Sequence, residues 1–138
     1  MSVRRMVLLV DDDADFVEMH RVLLEESGYA VRVAFSGRQC MEEVAAHRPD
    51  LIILDMVMEN PGDGFNVSRE LRNSEYTKGI PLLLVTSVND TIPFRVEPDR
   101  TWLPVDALLE KPVDPQLLLT LVDRALKAHR ENAPGASA

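Results

Sequence analysis

Continuous apolar runs alternate with helical periodicity along this chain. Met6–Val10 is an unbroken apolar run ended by Asp11, Asp12 and Asp13, as a strand covered on both faces would be. Phe16, Met19, Val22 and Leu23 then recur at three- and four-residue spacing, predicting a helix from Ala14 to Ser27 with Asp13 as its cap and Gly28 as its stop. The pattern repeats. A strand is predicted over Ala30–Ala34, a helix capped by Ser36 from Gly37 to about His47 and broken by Pro49, and a second buried strand over Asp50–Leu54. Asn60 to Gly64 is dense in turn residues. A helix over Phe65–Asn73, a strand over Pro81–Thr86 and a short strand over Ala107–Glu110 follow. Asp114 as cap and Pro115 at the first helical position open a last helix, to about His129. Ser87–Asp106, interrupted by Pro93, Pro98 and Pro104, has no clear pattern.

Five strand–helix alternations with short loops predict an α/β fold, a doubly wound five-stranded parallel sheet with helices on both faces. We expect one domain over residues 1–130 and a frayed tail over 131–138, without a second domain or a linker. The chain has 138 residues, enough for a core without metal or disulfide staples. Composition adds exclusions. With Lys+Arg 15 against Asp+Glu 23 the net charge is −8, which argues against direct nucleic-acid binding. The apolar runs are too short to span a bilayer, and no signal peptide is expected at the start. The single Cys40 excludes an internal disulfide framework, suits a reducing compartment, and reads as packed rather than reactive.

In open parallel sheets function gathers at the carboxyl ends of the strands. Those ends carry Asp11-Asp12-Asp13, Asp55, Thr86-Ser87 and Glu110-Lys111-Pro112, which places several carboxylates, a hydroxyl and a lysine on one rim. A like-charge pair at ~4 Å and an effective dielectric of ~20 costs roughly 4 kcal/mol before relaxation. A hard divalent cation with oxygen ligands and retained waters would relieve it, and Lys111 brings a further positive charge.

Taken together and in order, Val10-Asp11-Asp12, Leu54-Asp55, Val85-Thr86 and Glu110-Lys111-Pro112 resemble a response-regulator receiver domain, from about Met6 to His129. The resemblance implies a flavodoxin-like, chemotaxis-regulator-like (βα)5 fold with strand order 2-1-3-4-5. It implies that Asp55 is the phosphoacceptor, taking its phosphoryl group from a sensor histidine kinase or phosphotransfer protein. It assigns Mg²⁺ to Asp11, Asp12, Asp55 and the backbone carbonyl of Val57. Thr86 and Lys111 would contact phosphoryl oxygens. Such a protein is a self-phosphorylating switch of two-component signalling in the cytoplasm, not a turnover enzyme. It would have a downstream protein partner, no direct contact with nucleic acid and no membrane insertion.

The chain departs from the family pattern in four places. Glu59 stands where proline is usual after the acceptor, with Pro61 displaced and the loop one residue longer. Leu108 replaces the aromatic switch residue, the stretch from Thr86 to Lys111 is long and proline-broken, and no output domain is expected to follow. Output would therefore leave through Ser87–Asp106, which holds Phe94, Trp102 and Leu103. Val57 and Val88, at positions that flank the attacking water in the family, predict slow autodephosphorylation.

Blander roles compete. Asp11 and Asp12 could be caps, Asp55 a turn residue, Thr86 a strand former and Lys111 a solvated lysine; Asp13 reads as a cap. His20, His47 and His129 read as surface or interface residues, and Trp102 as cover for the core edge. An aspartate-nucleophile phosphohydrolase needs a second acid where Val57 stands. A flavin-mononucleotide carrier would have its phosphate repelled by Asp11-Asp12-Asp13. A degenerate receiver serving as a constitutive interaction module is the main alternative.

Overall fold

The computed structural model describes residues 4–56, 63–86 and 107–132. Strands β1 (Met6–Val10), β2 (Ala30–Ala34), β3 (Leu51–Asp55), β4 (Leu82–Thr86) and β5 (Ala107–Glu110) form one sheet, in the order β2-β1-β3-β4-β5. Every pairing is parallel. The helices are α1 (Ala14–Glu26), α2 (Gly37–Ala46), α3 (Asp63–Arg72) and α4 (Pro115–Asn132).

Alternation along the strands divides the core into two layers, because successive side chains point to opposite faces. Leu8, Val10, Ile52, Leu54, Leu82 and Leu84 meet Cys40 and Val44 of α2 and Val67 and Leu71 of α3. Val7, Leu9, Ile53, Leu83 and Val85 meet Val17 and Leu24 of α1 and Leu118 and Val122 of α4. β3 and β4 are buried throughout, as their unbroken apolar runs require, whereas the edge strands β2 and β5 are partly open.

The predicted caps are in place. Asp13 accepts hydrogen bonds from the Asp15 and Phe16 amides, Ser36 from Gln39 and Asp114 from Leu117. Gly28 ends α1 with φ +99°, a conformation that only glycine adopts without strain. Element ends differ from expectation by one to three residues, most at α3, which starts at Asp63, and at α4, which runs on to Asn132.

The helix predicted over this segment is present, and one expectation about it is corrected. Met19 and Val22 face solvent, with Met19 65% exposed, and the buried positions are Val17, His20 and Leu24. His20 is therefore a core residue, not a surface one. Its Nδ1 lies 2.7 Å from the Phe16 carbonyl oxygen and its ring stacks on Phe16. A ring with one nitrogen satisfied by the backbone of its own helix presents flat, weakly polar faces and packs as an apolar group. His47 is exposed at the end of α2. The side chain of His129 and all of Trp102 and Ser87–Asp106 lie outside the described residues.

Candidate functional site

β1 lies between β2 and β3, so the chain leaves it toward one edge and later returns on its other side. That reversal opens a crevice beyond the carboxyl ends of β1 and β3. Val10 pairs with Leu54 across these strands, so Asp11 and Asp55 end adjacent strands at the same level.

Asp11 is fully buried. Its backbone amide donates to the Ala34 carbonyl oxygen, and its Oδ1 accepts from the Asp13 amide, 2.9 Å away. Asp55 is 4% exposed, and the adjoining backbone is tied to β4 by the Met56 amide donating to the Val85 carbonyl oxygen. Asp12 is exposed. One carboxylate oxygen from each of Asp11, Asp12 and Asp55 lies within 4.8 Å of the others. Glu110 points to solvent and is not in this cluster, and Asp13 serves α1 as its cap.

Lys111 reaches into the cluster from the end of β5. Its Nζ is 2.9 Å from Asp11 Oδ2 and 3.7 Å from Asp55 Oδ2. The Lys111 amide donates to the Thr86 carbonyl oxygen at 2.7 Å, which locks the ends of β4 and β5 together. Thr86 is buried at the same rim. Burial alone lowers the Lys111 pKa, but contact with Asp11 and the charges of Asp11, Asp55 and Asp13 outweigh it. The net shift is upward, so Lys111 is a firm cation at neutral pH.

One ammonium cannot neutralise three carboxylates. Asp11 Oδ2 is completely buried and forms no directed hydrogen bond, although Lys111 lies at ion-pair distance. A buried carboxylate oxygen left in this way is costly. Two buried carboxylates and an exposed third, all offering hard oxygen ligands at an open rim, fit a divalent cation that keeps several waters, as Mg²⁺ does. The predicted Val57 carbonyl ligand lies outside the described residues, as do Glu59, Pro61 and Val88.

Two residues that sequence reasoning passed over shape this site. Gly64, read as part of the turn, stands in the first turn of α3, with its amide donating to the Met56 carbonyl oxygen. A β-carbon there would collide with the Asp55 carbonyl oxygen and stand 2.6 Å from the Met56 Cα. The available signal was a glycine persisting after the turn, where a helix former would serve better. Phe16 is the second, with its ring centroid 4.5 Å from Lys111 Nζ. Leu108 is partly buried and packs on the layer that holds α2 and α3.

Comparison with known proteins bears on the family and the fold. Residues 7–123 match the family model described as response regulator receiver domain. The chain is 36% identical over 92 residues to the DNA-binding response regulator MtrA of Mycobacterium tuberculosis, covering 66% of this chain and 38% of that protein. It is 32% identical over 131 residues to the DNA-binding dual master transcriptional regulator RpaA of Synechocystis, covering 95% of this chain and 52% of the relative. The chain thus spans between about two fifths and half of these relatives. Among solved structures, it resembles the chemotaxis response regulator CheY4 of Vibrio cholerae, with a TM-score of 0.75, 26% identity and coverage of 89% of this chain and 99% of that one. A sensor protein from Polaromonas gives a TM-score of 0.81 at 26% identity, covering 92% and 99%. No described helix is long and apolar enough to cross a membrane.

Proposed function

The chain belongs to the response regulator receiver domain family, and from that premise we propose that it is a phosphoacceptor switch whose acceptor is Asp55. The observation that carries this reading is a buried Asp55 carboxylate at the rim, faced by Lys111 and grouped with Asp11 and Asp12. A carboxylate oxygen of Asp55 attacks the phosphorus of a phosphohistidine on a histidine kinase or phosphotransfer protein. The phosphorus–nitrogen bond breaks, its electron pair leaves on the imidazole, and an acyl phosphate remains on Asp55.

Phosphoryl transfer asks the protein mainly for alignment and neutralised charge. Asp11, Asp12, Asp55 and the Val57 carbonyl would hold Mg²⁺, which when bound screens the charge on the transferring group. Lys111 supplies a fixed positive charge from the other side, and the Thr86 hydroxyl offers a hydrogen bond to a phosphoryl oxygen. The chain acts as a switch, not a turnover enzyme. It works in the cytoplasm and signals to a protein partner, since a charge of −8 gives nucleic acid no electrostatic footing. Ser87–Asp106 is the output surface in this reading.

Incubation with acetyl phosphate and Mg²⁺ followed by intact mass tests the proposal. One added phosphoryl group, absent in Asp55→Asn and without Mg²⁺, is expected. An unmodified wild type would favour the degenerate, constitutive module instead.

A further inference from the structure

Lys111 has an unusual third neighbour. Besides the carboxylates of Asp11 and Asp55, 2.9 and 3.7 Å away, the ammonium lies over the face of Phe16, 4.5 Å from the ring centroid to Nζ. That ring is itself stacked. His20, buried one helical turn further along α1, stacks on it with centroids 4.0 Å apart and planes 29° from parallel, and its Nδ1 is 2.7 Å from the Phe16 carbonyl oxygen. The stack rises from the first turn of α1, whose cap Asp13 directly follows Asp11 and Asp12. One short segment therefore sets both the carboxylates and the ring.

We propose that Phe16 is a positioning residue for Lys111, its ring face holding the ammonium at the rim where an anionic group on Asp55 is to be met. The inference rests on the acceptor reading of Asp55. The physical argument concerns donors. Lysine ends a flexible stem with three N–H donors and loses much rotamer freedom when fixed. A carboxylate that held it in place would occupy a donor and compete with the incoming phosphoryl oxygens. An aromatic face attracts the cation through its quadrupole and demands no particular donor direction. The ammonium can then turn from Asp11 toward a phosphoryl oxygen while staying over the ring. A leucine would fill the space without attracting the charge. The His20 stack limits rotation of the Phe16 ring, so that its face, not its edge, meets Lys111.

The test uses beryllofluoride as the phosphoryl mimic on the full chain, followed by fluorine NMR at saturating Mg²⁺, with Mg²⁺ affinity measured separately. Phe16→Leu should weaken beryllofluoride about three- to tenfold, the range for a partly desolvated cation over a ring, and leave Mg²⁺ affinity within about twofold. Phe16→Tyr keeps the face and should retain most of the affinity. Pentafluorophenylalanine at position 16 keeps the shape but reverses the charge of the face, and should match the leucine. This second variant holds even if Phe16→Leu folds poorly. All differences should vanish in a Lys111→Met background. Unchanged beryllofluoride affinity in both variants would overturn the proposal, as would an equal loss without Lys111. A wild type that takes no beryllofluoride at Asp55 overturns the acceptor reading and this one with it; wild-type binding with both Phe16 variants unaffected overturns this one alone.

Discussion

Gly64 lies so close to Asp55 that any β-carbon would meet the Asp55 carbonyl oxygen. The first turn of α3 is thereby pressed onto the end of β3, and the Gly64 amide donates to the Met56 carbonyl oxygen. Gly64→Ala should therefore cost about 1–3 kcal/mol, as overpacking does, although alanine is the better helix former. Urea unfolding gives the sign directly. A stabilised Gly64→Ala would mean that α3 can slide away from Asp55 at little expense.

The clustered carboxylates predict a metal-dependent stability. At a Mg²⁺ concentration about ten times its dissociation constant, the protein should gain roughly 1.4 kcal/mol. Asp12→Ala should abolish that gain and raise stability without metal, because it removes one of three mutually repelling charges. Thermal melts of both proteins with and without Mg²⁺ make the comparison; a shift that survives in Asp12→Ala would place the ion elsewhere.

Cys40 is fully buried among apolar side chains of α2 and the sheet. Burial, aided by the charge of Glu70, pushes its thiol up to about 12. At pH 8 the native thiolate fraction is then ~10⁻⁴, and the thiolate is the reactive form. Alkylation should be negligible in the folded protein and complete after denaturation. The unfolded thiol ionises nearer pH 8.5, so the native state holds its proton more tightly. This group's share of stability is intact below about pH 8.5 and is lost as pH rises toward 12. Fast native labelling at pH 8 would show that α2 opens locally.

Val57 and Val88 have no group that can align a water by hydrogen bonding. The acyl phosphate on Asp55 should accordingly be long-lived. Val57→Asn or Val88→Glu should shorten its lifetime, measured as loss of the phosphorylated mass over time. No acceleration from either change would assign the control of hydrolysis to other residues.

The strands, the caps and the identity of the rim residues were legible in the chain itself. Unbroken apolar runs such as Leu51–Leu54 suit only a strand buried on both faces, and Asp13, Ser36 and Asp114 are residues whose side chains compete for the first amides of a helix. Parallel strands that end in Asp11-Asp12, Asp55 and Glu110-Lys111 put these residues on one rim. Tertiary structure decided what local pattern cannot encode. The buried side of α1 was only partly legible: Phe16 and Leu23 pack against the core, but Met19 and Val22 at the same helical spacing face solvent, and His20 looks polar in a sequence. Only the fold shows that its ring is stacked and its Nδ1 lies beside a backbone carbonyl oxygen. Gly64 and Phe16 likewise gain their roles from partners distant in the chain, Asp55 and Lys111. Periodicity reports which side of an element is apolar; which residues touch across elements depends on how those elements pack, and that is a property of the assembled core.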